Sequence, residues 1–342
     1  MTEFILSLFS TRNKLRISTL YQILRGKRTS SILIYSFLNH LLFVHGSLPE
    51  LKQEEFSRVM NQLVNEKLLS ISKNYGRITA LGNKKHLQSE INLNGLCFSR
   101  YGRTASTCWR LIKFAVQVVS YLTYSCSDYL PIETSPYYTF QVKRWIVDMK
   151  LDRFELASKL SRELEELFLD MPTEMADFLA NQFSGVQAPG LLSYQLTEIK
   201  DEMQLKLYEA KNIHSLLKKI EEKKPLVLFY LIQPLLIQNY NQSMLITRKL
   251  VLEGHSLEEI MKIRHLKKGT VIDHLIEWQL CFDDFPYKTM ISKKTLNRLS
   301  QFTNVQTLEY RQLNEQASLD YGEFRFYQIG VLKGELLDGI EG

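Results

Sequence analysis

Proline and glycine are scarce in this chain, at 8 and 15 of 342 residues. Long periodic segments with so few helix-breaking residues favour a mainly helical fold. Cysteine is also rare, and the four cysteines form neither a CxxC pair nor a paired framework: Cys97, Cys108, Cys126 and Cys281. This usage excludes a small disulfide-stapled domain and is typical of reduced thiols in a cytoplasmic protein.

Long hydrophobic runs are missing as well. The most apolar segment, residues 225–237, is interrupted by Pro234 and is shorter than the roughly 20 residues that a membrane span needs. The N-terminal stretch MTEFILSLFSTRNKLR places an acidic residue before its apolar run, which is the wrong order for a secretory signal. We therefore expect no membrane segment, no signal peptide and a cytoplasmic location.

Motifs that carry catalysis are absent too. The sequence contains no HExxH, no GxSxG and no dinucleotide-binding fingerprint. GKRTS at residues 26–30 is not a phosphate-binding loop, because Tyr21 stands where the first glycine is needed and Arg28 where Ser or Thr is needed. The seven histidines never approach the spacing of a metal site. These absences predict a protein that is not an enzyme, with no cofactor, no metal and no small-molecule substrate.

The chain has a net charge of +6, and its charged residues are unevenly distributed. Residues 1–114 contain 17 Lys and Arg against 6 Asp and Glu, whereas the remaining residues contain 26 against 31. A basic head on a mildly acidic body is a plausible footprint for nucleic acid, although surface cations also serve solubility.

Residues 256–278, SLEEIMKIRHLKKGTVIDHLIEW, have the pattern of two short helices joined by a turn. Ser256 and Glu259 form a capping box at the first helix, and the second begins near Lys268 or Gly269, with Trp278 expected at its edge. In helix-turn-helix proteins the N-terminal end of the second helix leads into the DNA major groove. The pattern therefore predicts DNA contacts from four residues: Lys267, Lys268, Thr270 and His274.

Two neighbouring residues argue against reading of one DNA sequence. Ile272 stands where a base-reading side chain is expected and offers no hydrogen bond. Phosphate would repel the anionic Asp273 unless its carboxylate accepted from a cytosine amino group. The stretch thus favours contact with a polyanion over recognition of one site. The alternative is that the two helices are simply pieces of a helical core.

The first ninety residues follow the order of a winged helix. A helix over 17–24 precedes a basic turn, a second helix runs from Thr29 or Ser30 toward Phe43, and an amphipathic helix covers 51–69. Strand-like pieces at 69–71 and 77–81 complete the pattern. We predict DNA contacts in the basic turn and at the wing tip: Arg25, Lys27, Arg28, Lys73, Tyr75 and Arg77. Winged helices also bind proteins, and that alternative stays open.

Between these ends, residues 106–222 repeat apolar residues at helical spacing and carry no chemical motif. Their predicted role is spacing or partner binding. The predicted fold is mainly α, with a winged-helix-like domain with a small β-hairpin (1–95), a helical middle domain (96–224) and a C-terminal helix-turn-helix domain (225–342).

Two stretches carry a resemblance to a known family. EGHSLEEIMKIRHLKKGTVIDHL resembles the helicase-associated helix-turn-helix of the YpbB family, proteins that accompany RecQ-type DNA helicases in low-GC Gram-positive bacteria. STLYQILRGKRTSS, followed by FSRVMNQLVNEKLL, is similar to the winged helix of RecQ C-terminal regions. The resemblance implies an ATP-independent DNA-binding accessory of a RecQ-type helicase in DNA repair or recombination, located in the bacterial cytoplasm, with nucleoid association left open.

Three functions remain compatible with these patterns. The first is the helicase accessory, binding duplex or forked DNA with weak sequence preference. The second is a transcriptional regulator that binds one operator through residues 268–278. The third is a protein-binding scaffold.

Overall fold

The computed structural model describes residues 1–11, 14–316 and 318–336. It is mainly helical with one small antiparallel sheet, and the predicted fold class is confirmed. The helices of the N-terminal and middle regions are α1 (Thr2–Leu8), α2 (Ile17–Leu24), α3 (Ser30–Leu38), α4 (Gln53–Asn65), α5 (Ala80–Leu87), α6 (Phe98–Tyr101), α7 (Ala105–Thr123), α8 (Pro136–Met149), α9 (Arg153–Leu169), α10 (Thr173–Ala180), α11 (Glu202–Lys223) and α12 (Leu226–Gln238). The C-terminal helices are α13 (Gln242–Leu252), α14 (Leu257–Arg264), α15 (Lys268–Cys281), α16 (Tyr287–Met290), α17 (Lys293–Leu299), α18 (Tyr310–Gln316) and α19 (Tyr321–Lys333).

The chain divides into two compact units that do not follow its order. The first unit contains Met1–Gly26 and Leu41–Asn239, and the second contains Lys27–His40 together with the chain from Tyr240 onward. Helix α3 of the N-terminal region therefore belongs to the unit that holds the C-terminal helices. The boundaries at 95/96 and 224/225 stay a prediction beside this division.

The sheet of the first unit has three strands, β1 (Leu15–Arg16), β2 (Leu69–Ser72) and β3 (Tyr75–Ile78), with β3 in the centre. The hairpin of β2 and β3 was expected, but β3 begins two residues earlier than the sequence suggested. Strand β1 was not predicted. Two residues are too short a run to show the alternation by which strands are recognised.

The core of the first unit lies among the middle helices. Trp109 on α7 and Trp145 on α8 are both buried, and each indole nitrogen has a partner. Trp109 donates to the Gln182 side chain at 3.0 Å, and Trp145 donates to the Val227 carbonyl at 3.0 Å. These bonds remove the cost of burying the two N–H groups.

The second unit packs α3, α13, α14 and α19 around α15. Its core includes Ile34 of α3 and Leu275 of α15. Trp278, expected at the edge of α15, is fully buried, so that expectation was wrong. Helix α15 buries residues on most of its circumference because neighbours surround it beyond its first turn.

Candidate nucleic-acid interface

The wing is the β2–β3 hairpin, and its tip is a two-residue turn. Ser72 pairs with Tyr75, which leaves Lys73 and Asn74 at the turn with φ of 52° and 81°. Two positive φ values define the mirror-image turn whose twist matches that of a hairpin. The turn is tied to the start of α2, because the Asn74 side chain donates to Ser18 Oγ at 2.9 Å and its carbonyl accepts from the Ile17 N–H at 2.9 Å.

The two faces of β3 differ in chemistry. Gly76 is buried against Phe9, since a Cβ at this position would lie 2.7 Å from the Phe9 ring. Tyr75 and Arg77 alternate with it and lie on the opposite, outer face, as the two-residue period of a strand requires. Tyr75 is 41% exposed. The outer face of the sheet thus presents an aromatic ring beside cations.

Two of these cations were not predicted. Arg16 on β1 stands directly opposite Tyr75 in the antiparallel register, and Lys14 Nζ lies 5.3 Å from the centre of the Tyr75 ring. Their signal in the sequence is the alternation of Lys14, Leu15 and Arg16, whose middle residue is fully buried. We use "wing face" below for Lys14, Arg16, Lys73, Tyr75 and Arg77.

The cations of the basic turn that follows α2 have different partners. Arg25 belongs to the first unit, where its Nε donates to the Pro49 carbonyl at 3.3 Å. Lys27 and Arg28 belong to the second unit, and Lys27 is exposed. Arg28 Nη2 lies 2.6 Å from Oε1 of the buried Glu277. This ion pair neutralises a carboxylate inside the protein, so Arg28 is not offered to an external phosphate.

The helix-turn-helix has the expected local construction. Ser256 accepts from the Glu259 N–H, and the Glu259 carboxylate accepts from the Ser256 N–H at 2.8 Å, so the predicted capping box is confirmed. His265 is the C-cap of α14 and has φ of 50°, in the left-handed region that glycine usually fills. α15 begins at Lys268, as the sequence indicated.

The start of α15 offers hydrogen-bond donors to an external ligand. Lys267 and Thr270 are exposed there. Lys268 Nζ lies 2.8 Å from Asp320 Oδ2, and the hydrogen bond to Asp320 raises the pKa of Lys268, with the nearby charges of Glu258 and Glu323 acting in the same direction. These carboxylates weaken the attraction of this helix end for phosphate.

His274, proposed from the sequence as a DNA contact, lies inside the second unit. Its Nδ1 is 2.9 Å from Thr247 Oγ1, and Arg264 approaches the same nitrogen at 3.4 Å. Burial, followed by the charge of Arg264, lowers the pKa of His274. Arg264 also donates to the Ser243 carbonyl at 2.6 Å, which ties the end of α14 to the start of α13. The structure therefore does not bring His274 to the surface with Lys267 and Thr270.

Ile272 is also internal, packed against Gly322 of α19. A Cβ at Gly322 would lie 2.7 Å from Ile272 Cδ1. The sequence-based expectation that Ile272 occupies a base-reading position at the surface was therefore wrong. Asp273 is exposed, as expected.

Neither a metal site nor a membrane span is found in the described residues. No group of His, Cys, Asp and Glu side chains among them is arranged to hold a metal ion. No helix in the same residues combines the length and apolarity needed to cross a membrane.

Comparisons with known proteins agree with this layout. Residues 243–328 match a family described as "Helix-turn-helix domain", and residues 3–90 match the "RQC domain". The chain is 22% identical over 325 residues to "Protein YpbB" of Bacillus subtilis (strain 168), an alignment that covers 91% of this chain and 90% of that protein. No solved structure matches the chain.

These matches confirm the resemblance to the YpbB family. Both matched domains are found in RecQ-type helicases. The chain therefore has a RecQ-like arrangement of DNA-binding domains, with an RQC domain at the N-terminus and a helix-turn-helix domain at the C-terminus.

Proposed function

We propose that this protein is a non-enzymatic DNA-binding accessory of a RecQ-type helicase, acting in DNA repair or recombination and preferring forks or duplex ends over intact duplex. The observation that carries the proposal is the wing face, where the exposed Tyr75 ring lies among Lys14, Arg16 and Arg77. Cations attract the phosphate backbone, and an aromatic ring stacks on a base only where that base is unpaired.

In this proposal the two DNA-binding domains make different contacts with DNA. The wing face supplies base stacking and phosphate attraction, and Lys267 and Thr270 of α15 add a weaker phosphate contact. Phosphate attraction and base stacking carry little sequence information, so the proposed binding has weak sequence preference. Energy for strand separation comes from the partner helicase.

The partnership is tested with purified proteins and a forked DNA. The chain alone is expected to show neither DNA-stimulated ATP hydrolysis nor unwinding, and to change the unwinding rate of a RecQ-type helicase from the same cell. Tyr75→Ala is expected to reduce that change. Tyr194→Ala, which removes another exposed tyrosine of the first unit, is the matched control and is expected to behave like the wild type.

Two results would contradict the proposal. One is ATPase activity of the chain itself that co-purifies with it and is stimulated by DNA. The other is an unwinding rate that the chain leaves unchanged at concentrations where both proteins are bound to the fork.

A further inference from the structure

Helix α12 has apolar residues on its exposed side as well as on its buried side. Its sequence, LVLFYLIQPLLIQ, contains no charged residue. One face is buried in the core of the first unit through Val227, Leu228, Leu231 and Ile232. On the other face Leu226 is 63% exposed and Tyr230 is 44% exposed. A surface helix normally presents polar residues on its outer side, whereas the outer side of α12 combines Leu226 and Tyr230 with the exposed Gln233.

Helix α8 exposes a second apolar stripe. Phe140 is 60% exposed and Val147 is 73% exposed. They are seven residues apart, two helical turns, and therefore lie on the same side of the helix. Tyr138, Val142 and Trp145 occupy the opposite side and are buried.

Two hydrogen bonds hold α8 and α12 side by side. The Trp145 indole N–H donates to the Val227 carbonyl at 3.0 Å, and the Tyr230 hydroxyl donates to Asp148 Oδ2 at 3.2 Å. The exposed stripe of one helix therefore borders that of the other. We use "α8–α12 face" for Phe140, Val147, Leu226 and Tyr230.

Three lysines without an ion pair among the described residues lie beside this face. Lys143, Lys150 and Lys224 are exposed, and they make no ion pair within the described part of the chain. The nearby carboxylates are already engaged. Asp148 lies 3.4 Å from Arg144 and accepts from Tyr230, and Glu163 accepts from the Val227 and Leu228 N–H groups at the start of α12. The face thus joins apolar contacts to uncompensated positive charge, although residues 115–342 as a whole are acidic.

We infer that the α8–α12 face is a docking surface for an acidic amphipathic helix of the partner helicase. A helix laid along two neighbouring helices buries apolar residues spaced three and four apart, and its flanking Asp and Glu meet the three lysines. Positive charge selects an acidic partner helix and disfavours a basic one. The inference rests on the proposed function for the identity of the partner.

The test measures binding of the full chain to the purified helicase by biolayer interferometry across a salt series. Val147→Ser with Leu226→Ser is expected to weaken binding at least ten-fold. Lys143→Glu with Lys150→Glu is expected to weaken it and to flatten its dependence on salt. The matched controls are Leu169→Ser and Lys159→Glu, an exposed apolar residue and an exposed lysine of α9, and both are expected to bind like the wild type.

Affinity for forked DNA is measured in parallel and is expected to be the same for all four variants, which shows that they are folded. Helicase binding that none of the α8–α12 variants weakens would overturn the docking surface and leave the proposed function standing. A wild-type chain that does not bind the helicase would overturn the partnership itself. Dimerisation of the wild type that Val147→Ser with Leu226→Ser abolishes would assign the face to a second copy and would also overturn the inference.

Discussion

His214 is a buried histidine with one hydrogen bond. It lies in the first unit, where its Nδ1 accepts from the Cys97 N–H at 3.0 Å and its ring meets the edge of Phe98. Burial lowers the pKa of His214 to about 4. The folded protein therefore holds this imidazole neutral at pH values where an exposed histidine begins to bind a proton.

This shift predicts a loss of stability in mild acid. The unfolded chain, with a histidine pKa of 6.5, binds more protons than the folded chain below that pH. The contribution of His214 is complete above pH 6.5 and is lost as the pH falls toward 4, so the free energy of unfolding should drop by about 2 kcal/mol between pH 7.5 and pH 5. Urea unfolding at the two pH values measures the drop. His214→Asn, which does not titrate, should show a smaller drop, and an equal drop in both proteins would rule out His214 as its source.

The ion-pair partner of Arg28 could not be predicted from the sequence. Its place in a basic turn predicted a phosphate contact, but its partner is Glu277, 249 positions away. A charge pattern along the chain indicates only the neighbours of a residue in sequence. Lys14 and Arg16 were missed for the same reason, since their role depends on the position of Tyr75 across the sheet.

At the scale of elements, capping chemistry predicted where helices begin, whereas the helices expected over 51–69 and up to Phe43 are shorter in the structure, at Gln53–Asn65 and Ser30–Leu38. α2 has the predicted bounds, and the capping box starts α14 as expected, because caps depend on residues three or four apart. In α15 the sequence placed His274 and Ile272 at the surface and Trp278 at the edge, yet all three are buried. Periodicity indicates a helix but does not show how many neighbours will cover it.

The two lysines at the start of α15 should contribute differently to DNA binding. Lys267 makes no ion pair within the described residues, whereas Lys268 is bound to Asp320 and must break that pair to reach a phosphate. Lys267→Ala should reduce the slope of log affinity against log salt by about 0.9, the value of one phosphate contact. Lys268→Ala should change the slope much less. Anisotropy titrations on random-sequence duplex across a salt series measure both.

Equal slope changes for the two variants would show that the Asp320 pair opens on binding. A loss confined to one DNA sequence would make these lysines base contacts and would favour a transcriptional regulator. An unchanged slope in both variants would remove α15 from the DNA-binding surface.

At the scale of the whole molecule, the order of elements was predictable and their grouping was not. The winged helix, the helical middle region and the helix-turn-helix follow one another as expected. The packing of α3 was not foreseen, because its apolar residues suit any core. In the structure Ile34 lies in the core of the second unit, and the Leu38 carbonyl accepts from Gln306 at 2.8 Å.

The structure places several cations of the basic N-terminal third on one surface. Lys14, Arg16, Lys73 and Arg77 belong to the basic first third of the chain and gather around one small sheet. The proposed DNA-binding role therefore depends on the wing face more than on the helix-turn-helix, although the helix-turn-helix was the clearer motif in the sequence.

The proposed preference of the wing face for unpaired DNA is tested by fluorescence anisotropy with a forked and a blunt duplex of the same length. The wild type is predicted to bind the fork more tightly. Tyr75→Ala is predicted to reduce that preference by about five-fold or more, since stacking of one base is worth about 1–3 kcal/mol. Tyr194→Ala is predicted to retain it. Equal affinities of the wild type for the two probes, unaffected by Tyr75→Ala, would contradict the account.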